Sequence, residues 1–338
     1  MQVVSPDLIK GKKVLLRFDL DVPLLEVGSG KWEVGDEFRL KAGLPTLRLC
    51  LENAEEVIIM GHVGRPSGED PNFSVEPIYD WLENRGFQGV LGSGKLKLLE
   101  NLRFEKGEEE ADLGYAKELA SLGNFYINEA FAAHHKSAST TVLPTLLPHA
   151  AGLRFAEEVR VLREVRDNPK RPLVVIIGGV KIEDKGPAIE AMSKVADTVL
   201  VGGKIASEIT QRSTARLARR ESEWAALHNV ILGRLDASGM DISEETVEEW
   251  KPIILGAKMI VWNGPLGKVE EKQYSKGTEK IARAVLESDA ETILGGGDSI
   301  GFLDKLGLLE KFSFVSVGGG AMLKFLAEGT LPTIEVLG

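Results

Sequence analysis

Apolar residues along the chain fall into two patterns. Short continuous runs alternate with longer stretches in which apolar positions recur every three or four residues. The first series of runs is KVLLRF (13–18), EVIIM (56–60), LKLLE (96–100) and NFYIN (124–128). The second is LVVII (173–177), TVLV (198–201), NVIL (229–232), KMIVW (258–262), ETIL (291–294) and FSFVSV (312–317). Runs of this length without polar alternation suit strands covered on both faces, and helices between them suit parallel crossovers. Between the series, LRFAEEVRVLREVRDNP (153–169) reads as a charged helix with an apolar stripe at Leu153, Ala156, Val159 and Leu162, stopped before Pro169.

The pattern predicts an α/β protein of two doubly wound, parallel-sheet (Rossmann-like) domains joined by a hinge helix. The expected boundaries are 1–152 for one domain, 153–169 for the connecting helix and 170–318 for the other. A length of 338 residues agrees with two domains at roughly 150 residues each.

Composition narrows the function classes. Hydrophobic residues are 43% and charged residues 27%, ordinary for a globular chain, but glycine is high at 37 residues and clusters just after the apolar runs. Net charge is −10. Residues 1–152 hold sixteen basic against twenty-three acidic side chains, net −7, leaving −3 for the rest. Neither half is basic, which argues against nucleic acid as a partner. The single Cys50 and the absence of a signal-like or membrane-spanning apolar run predict a cytoplasmic, reduced protein without a membrane partner.

In open α/β sheets, ligands sit beyond the carboxyl ends of the strands. In the first half the residues there are Arg17, Asp19, Asp21, His62, Arg65, Arg103 and the segment Asn128 to Lys136. With Arg39 these would make a cationic basin in an acidic domain; each arginine taken alone fits a surface ion pair better, and it is their convergence that points to a site. In the second half the ends carry Gly178-Gly179, Gly202-Gly203, Asn263-Gly264-Pro265, Gly295-Gly296-Gly297-Asp298-Ser299 and Gly318-Gly319-Gly320. Glycines before helices let backbone N–H groups approach a phosphate, and they equally serve close strand–helix packing. Lys181 and Lys185 lie four apart and would share a face of a helix begun there. Asp298 suits either a helix cap or a Mg²⁺ ligand. His134, His135 and His149 match no metal-ligand spacing.

Ten motifs in order, RFDLDVP, EFRL, GHVGRP, LLENLRF, INEAFAAHHK, GGVKIEDK, VGGKIA, VWNGPLGKVE, GGGDS and VGGGA, make the chain resemble the phosphoglycerate kinase family along essentially its whole length. The resemblance implies reversible phosphoryl transfer between 1,3-bisphosphoglycerate and ADP, giving 3-phosphoglycerate and ATP, by a monomer with Mg²⁺ as cofactor. It implies that Asp19, Asp21, Arg39, His62, Arg65, Arg103 and Lys136 contact the phosphoglycerate. The nucleotide would lie on Gly178, Gly179, Lys181, Lys185, Gly202, Gly203, Asn263, Pro265, Glu270, Gly297, Asp298 and Ser299, with the metal on Asp298. Arg39, Lys185 and the amides of Gly318 and Gly319 would stabilise the moving phosphoryl group, consistent with a reaction that asks mainly for positioning and positive charge. The resemblance also implies 319–338 as a further part of the first domain, with the last helix packed back there, and the hinge is expected to close when both substrates are bound.

The chain departs from the family pattern in four places. Asp21 stands where the family has Asn. Lys136 offers a cation where the family has Arg, in a segment one residue shorter. Material is missing around 88–95 and around 205–240, and Gly239 to Ser243 is all that remains of a Leu-Asp-x-Gly-Pro stretch facing the nucleotide base, which leaves ATP against GTP open. A kinase-like sensor without catalysis would have been favoured by loss of Lys185, Arg39 or Asp298, and all three are present. A dinucleotide dehydrogenase is excluded because no GxGxxG with a following acidic residue occurs after the strands.

Overall fold

The structure, a computed structural model, describes residues 1–28, 30–214 and 227–338. The chain divides into two compact units, residues 1–160 with 330–338 and residues 161–329.

In the first unit, β1 (Lys13–Arg17), β4 (Glu56–Met60), β5 (Leu96–Leu98), β6 (Phe125–Asn128) and β7 (His149–Ala151) form one parallel sheet in the order β5-β4-β1-β6-β7. The runs become strands because helices cover both faces: Val14, Leu15 and Leu16 are buried in succession, as are Val57 to Met60. Arg17 is level with Met60 on one side and Asn128 on the other, so three strand ends finish flush. That register carries Arg17, the 61–65 turn and the 129–136 segment to one edge.

In the second unit, β8 (Leu173–Ile177), β9 (Thr198–Val201), β10 (Val230–Leu232), β11 (Met259–Asn263), β12 (Glu291–Gly295) and β13 (Phe314–Val315) form a parallel sheet in the order β10-β9-β8-β11-β12-β13. Counted within the unit this is 3-2-1-4-5-6, the doubly wound order whose switch point, between its first and fourth strands, opens a crevice. Ile177 is level with Val201 and with Asn263, and Asn263 with Gly295, so the glycine clusters emerge side by side.

Five features differ from the sequence expectation. An antiparallel hairpin of β2 (Leu24–Glu26) and β3 (Trp32–Val34) and the short β7 were not foreseen: the hairpin strands are largely exposed, and His149-Ala-Ala carries little apolar bulk. The Gly319–Glu328 helix packs on the Ile182–Ser193 helix and belongs to the second unit, so only residues 330–338 return to the first, where Pro332–Glu335 meets the Ala138–Val142 turn. The boundary expected at 152/153 falls instead within the Leu153–Asp167 helix, after Arg160. On that helix the buried residues are Phe155, Glu158, Val159, Val161, Leu162 and Val165, shifted from the expected stripe because Phe155 packs edge-on against Phe131 at 5.9 Å while Leu153 and Ala156 are only partly covered.

Candidate active site

The flush ends of β1, β4 and β6 surround a cleft of about 410 Å³ lined by Arg17, Asp21, His62, Arg65, Arg103, Glu108, Glu109, Thr140 and the 132–137 turn. Asp21 is its meeting point. Its Oδ1 accepts the Gly64 N–H at 2.9 Å, and its Oδ2 lies 3.7 Å from Arg39 and 3.9 Å from His62 Nε2. Arg39 also donates to the Asp21 carbonyl at 2.7 Å. Arg103 donates to the Gly64 carbonyl at 2.6 Å and pairs with Glu109 at 3.1 Å, which turns its guanidinium along the cleft wall. Arg65 and Lys136 are exposed on the wall.

Asp19 takes a different position. It is buried, its Oδ1 sits 3.7 Å from Arg39, and its Oδ2 has no hydrogen-bond partner. Burial raises its pKa, against the pull of Arg39. The structure thus places it behind Arg39 and not on the cleft wall.

Two buried residues enter the site that the family motifs had not assigned. Arg17, nearly inaccessible, donates to Ser139 Oγ at 2.9 Å and to the Phe18 carbonyl at 2.7 Å, and its Nη2 lies 2.6 Å from His62 Nδ1. Glu108 accepts from Ser137 Oγ, Ser139 Oγ and the Ser139 N–H at 2.7, 2.6 and 2.9 Å, and so returns a negative charge to the buried guanidinium. The sequence marks Arg17 as a strand-end cation, but Ser139, which holds its Nε, and Glu108 behind it lie more than ninety residues away.

Below the cleft, Glu129 is buried at the start of the Leu153–Asp167 helix. It accepts from Thr46 Oγ1 at 2.6 Å and from the first-turn backbone N–H groups of Arg154 and Phe155 at 3.2 and 3.3 Å. Burial nevertheless dominates and raises its carboxyl to about 8.

The second unit builds its site from backbone. A Cβ on Gly178 would meet the Gly264 carbonyl oxygen at 2.6 Å, and one on Gly319 would meet Gly296 N at 2.6 Å. Gly264 adopts φ +90°, a conformation glycine enters without penalty, and its backbone presses on Gly178. Gly178, Gly203, Gly264, Gly296 and Gly319 thereby form a floor in which main chains touch directly. Gly179, Gly202 and Pro265 lie in the same three loops, and Gly318 precedes the Gly319–Glu328 helix.

Two side chains, Lys185 and Asn263, are tied to this floor. Lys185 Nζ donates to Asn263 Oδ1 at 2.5 Å, and Asn263 Nδ2 donates to the Gly319 carbonyl at 3.1 Å, joining two of the loops. Lys181 is exposed as the residue before the Ile182–Ser193 helix, so the two lysines are not an equivalent pair: one is held by Asn263, the other extends into solvent. Asp298 is exposed in the first turn of the Gly297–Lys305 helix, whose cap is Gly296, so the capping role open to it in sequence belongs to another residue. Ser299 is fully buried and its hydroxyl has no protein partner, while Glu270 is exposed in the loop after β11. Part of the shortened 205–240 region, residues 215–226, lies outside the described residues. Beyond it, Leu235 and Ile242 form an antiparallel bridge and the Asp236 carboxylate ties the turn to Ser238.

A cleft of guanidinium groups in one unit and a glycine floor at the switch point of the other define a phosphoryl-transfer enzyme on a doubly wound fold. A sequence model of the family described as phosphoglycerate kinase matches residues 5–223 and 213–329. A phosphoglycerate kinase of Rubrobacter xylanophilus is 36% identical, the match covering 97% of this chain and 96% of the relative. One of Leptospira biflexa is 34% identical with the same coverage. Its alignment runs over 385 positions against the 338 residues here, so the relative carries segments this chain lacks. The solved phosphoglycerate kinase of Coxiella burnetii superposes with a TM-score of 0.82 at 30% identity, covering 97% of this chain and 96% of that one. That of Pyrococcus horikoshii gives 0.83 at 26% identity, covering 100% and 98%. The chain belongs to the phosphoglycerate kinase family, and its reaction is the reversible transfer of a phosphoryl group between 1,3-bisphosphoglycerate and ADP, giving 3-phosphoglycerate and ATP.

Proposed function

We propose that the first unit's cleft binds the phosphoglycerate and the second unit's glycine floor binds Mg-nucleotide. The observation that carries this is the cleft itself: Arg17, Arg65, Arg103, His62 and Lys136 converge on one hollow in a region of net charge −7. In this reading Arg103, Arg65 and Lys136 engage the ligand's anionic groups, His62 donates a hydrogen bond, and Asp19 orients Arg39 from behind. Arg39 and Lys185 supply charge to the phosphoryl group in transit, and the exposed amides at Gly318 and Gly319 assist. An acyl phosphate is a reactive donor, so no covalent enzyme intermediate is required.

Asp298 fits a metal site because it offers an exposed hard oxygen donor beside a glycine floor, and Mg²⁺ bound to a nucleotide takes only one or two protein carboxylates. Bound there with the nucleotide, Mg²⁺ would neutralise phosphate charge. Lys181 and Glu270 are assigned to the nucleotide's periphery, and Ser299 to support of the Asp298 turn from beneath. Direct transfer also needs water excluded and the ligands brought to reacting distance, which we assign to bending within 153–169. Compaction in solution scattering on adding both substrates would support that bending, and an unchanged radius of gyration would refute it.

A monomer in the cytoplasm is the assembly and location this reading entails. Among the described residues no helix is long and apolar enough to cross a membrane. The test of the whole reading is a coupled assay with 3-phosphoglycerate, ATP and a Mg²⁺ titration on the wild type and Asp298→Ala. A shift of the Mg²⁺ midpoint to higher concentration supports the assignment, and superimposable curves overturn it.

A further inference from the structure

We infer that Arg17 is a positioning residue that locks His62 as the neutral tautomer with its proton on Nε2, making His62 a fixed hydrogen-bond donor into the cleft. The inference deepens the reading above and, for its functional half, rests on it.

The argument begins with donor and acceptor inventories. A guanidinium has five N–H donors and no acceptor, and it keeps its charge at every pH at which the protein is folded. Arg17 Nη2 lies 2.6 Å from His62 Nδ1, so Nδ1 must be the acceptor of that contact. A neutral imidazole that accepts at Nδ1 carries its proton at Nε2. Nε2 is the nitrogen that faces Asp21 Oδ2 at 3.9 Å, too long for a direct hydrogen bond and placed for a ligand or water between them.

Arg17 has no freedom to adapt. Its Nε is fixed on Ser139, its Nη1 on the Phe18 carbonyl, and Ser139 in turn donates to Glu108. The Ser139 hydroxyl can give only one proton, so donating it to Glu108 leaves Ser139 an acceptor towards Arg17. A line of directed hydrogen bonds therefore runs from Glu108 through Ser139 and Arg17 to His62. Protonating His62 at Nδ1 would set two N–H groups against each other at 2.6 Å inside a buried site. The groups around the ring are Arg17, Arg103, Arg39 and Arg65, with Asp21 as the carboxylate facing Nε2. Burial first, and then these four cations, hold the imidazole well below its ordinary pKa. His62 thus contributes direction to the site, and the arginines contribute charge.

The wild-type enzyme decides the tautomer without any ligand. In histidine-labelled protein, two-bond proton–nitrogen correlations should show His62 as the neutral Nε2–H form from about pH 5.5 to about pH 8, with His62→Ala identifying the signal. An Nδ1–H or imidazolium pattern overturns the inference. Arg17→Met should admit the Nδ1–H tautomer and raise KM for 3-phosphoglycerate about tenfold with kcat changed less than about twofold. Arg17→Lys, which keeps one donor and the charge, should restore the Nε2–H pattern and most of KM. A wild-type pattern and KM in Arg17→Met overturn the positioning role, and if that variant does not fold, the wild-type spectrum and Arg17→Lys still decide. Unchanged KM in His62→Ala would instead overturn the placement of phosphoglycerate in this cleft, leaving the tautomer result standing.

Discussion

The two units build their proposed anion sites in opposite ways. The first uses long side chains: four arginines and a lysine reach into or beside one hollow, steadied by Asp19, Asp21, Glu108 and Glu109. The second uses almost none, because its loops meet main chain to main chain at Gly178, Gly264, Gly296 and Gly319. Charge reached by side chains can be altered one residue at a time, whereas a backbone surface fails when any atom is added to it. The first unit should therefore respond to changes of charge and the second to changes of volume.

Lys185 is the exception that sharpens this contrast, being a side chain set over the backbone floor. Lys185→Ala should lower kcat by about 10²- to 10³-fold with little change in nucleotide affinity, as removal of one preorganised donor to a moving charge does. Single-turnover rates beside equilibrium nucleotide binding check this, and a near-normal kcat would remove Lys185 from the mechanism. Next comes the volume test. Gly178→Ala drives a Cβ into the Gly264 and Pro265 main chain, for an expected loss of about 2–3 kcal/mol and weakened nucleotide binding, whereas at Gly297 a Cβ meets nothing within 4 Å. Gly297→Ala should stay within about 0.5 kcal/mol of wild type in denaturant unfolding. Equal losses in the two variants would dissolve the distinction between floor and rim.

Charge in the first unit extends into its core through Glu129, which makes that unit answer to pH. Its folded-state pKa, about 8, lies above the ordinary carboxylate value of 4.5, so across that interval the unfolded chain has lost a proton that the folded chain keeps. Stability contributed by this group is then full below about pH 4.5 and falls as pH rises towards 8. Glu129→Gln should flatten the decline of Tm between about pH 5 and about pH 8, removing a pH-dependent stability contribution on the order of a few kcal/mol. A variant whose Tm slope matches wild type would show that the carboxyl is ionised in the folded protein.

The smallest effect concerns Asp21. Its carboxylate faces Arg39 and His62 at 3.7 and 3.9 Å, where an anionic ligand would otherwise gather their attraction. Asp21→Asn should lower KM for 3-phosphoglycerate about fivefold, the equivalent of about 1 kcal/mol for a unit charge at that distance in a well-solvated site. A KM that rises would mean the carboxylate itself works in substrate binding.

Legibility in the sequence followed how local each feature is. Runs such as Leu173–Ile177 announce themselves because a strand buried on both faces needs every position apolar, and the observed strand coincides with the run. The residues after each run were therefore found as candidates. What could not be read was which ends become neighbours: that Gly264 presses on Gly178 depends on β11 lying beside β8, a pairing set by crossovers of more than eighty residues. The burial of Arg17 was hidden for the same reason, since Ser139 and Glu108 lie far along the chain. Asp19 and Asp21, two residues apart, read alike and fold apart, one sealed behind Arg39 and the other facing the cleft.

A surface made of main chain presents the same N–H groups and carbonyls whatever the gene spells nearby, and so it offers selection very little to vary. With the nucleotide on that floor, as proposed above, preference among nucleotides cannot drift through it without breaking it. It has to be written in the segments around that floor, such as the turn closed by Leu235 and Ile242, where side chains are free to change. Retuning this enzyme towards another base would thus begin at its rim, and the five touching glycines would be the part of the design to leave alone.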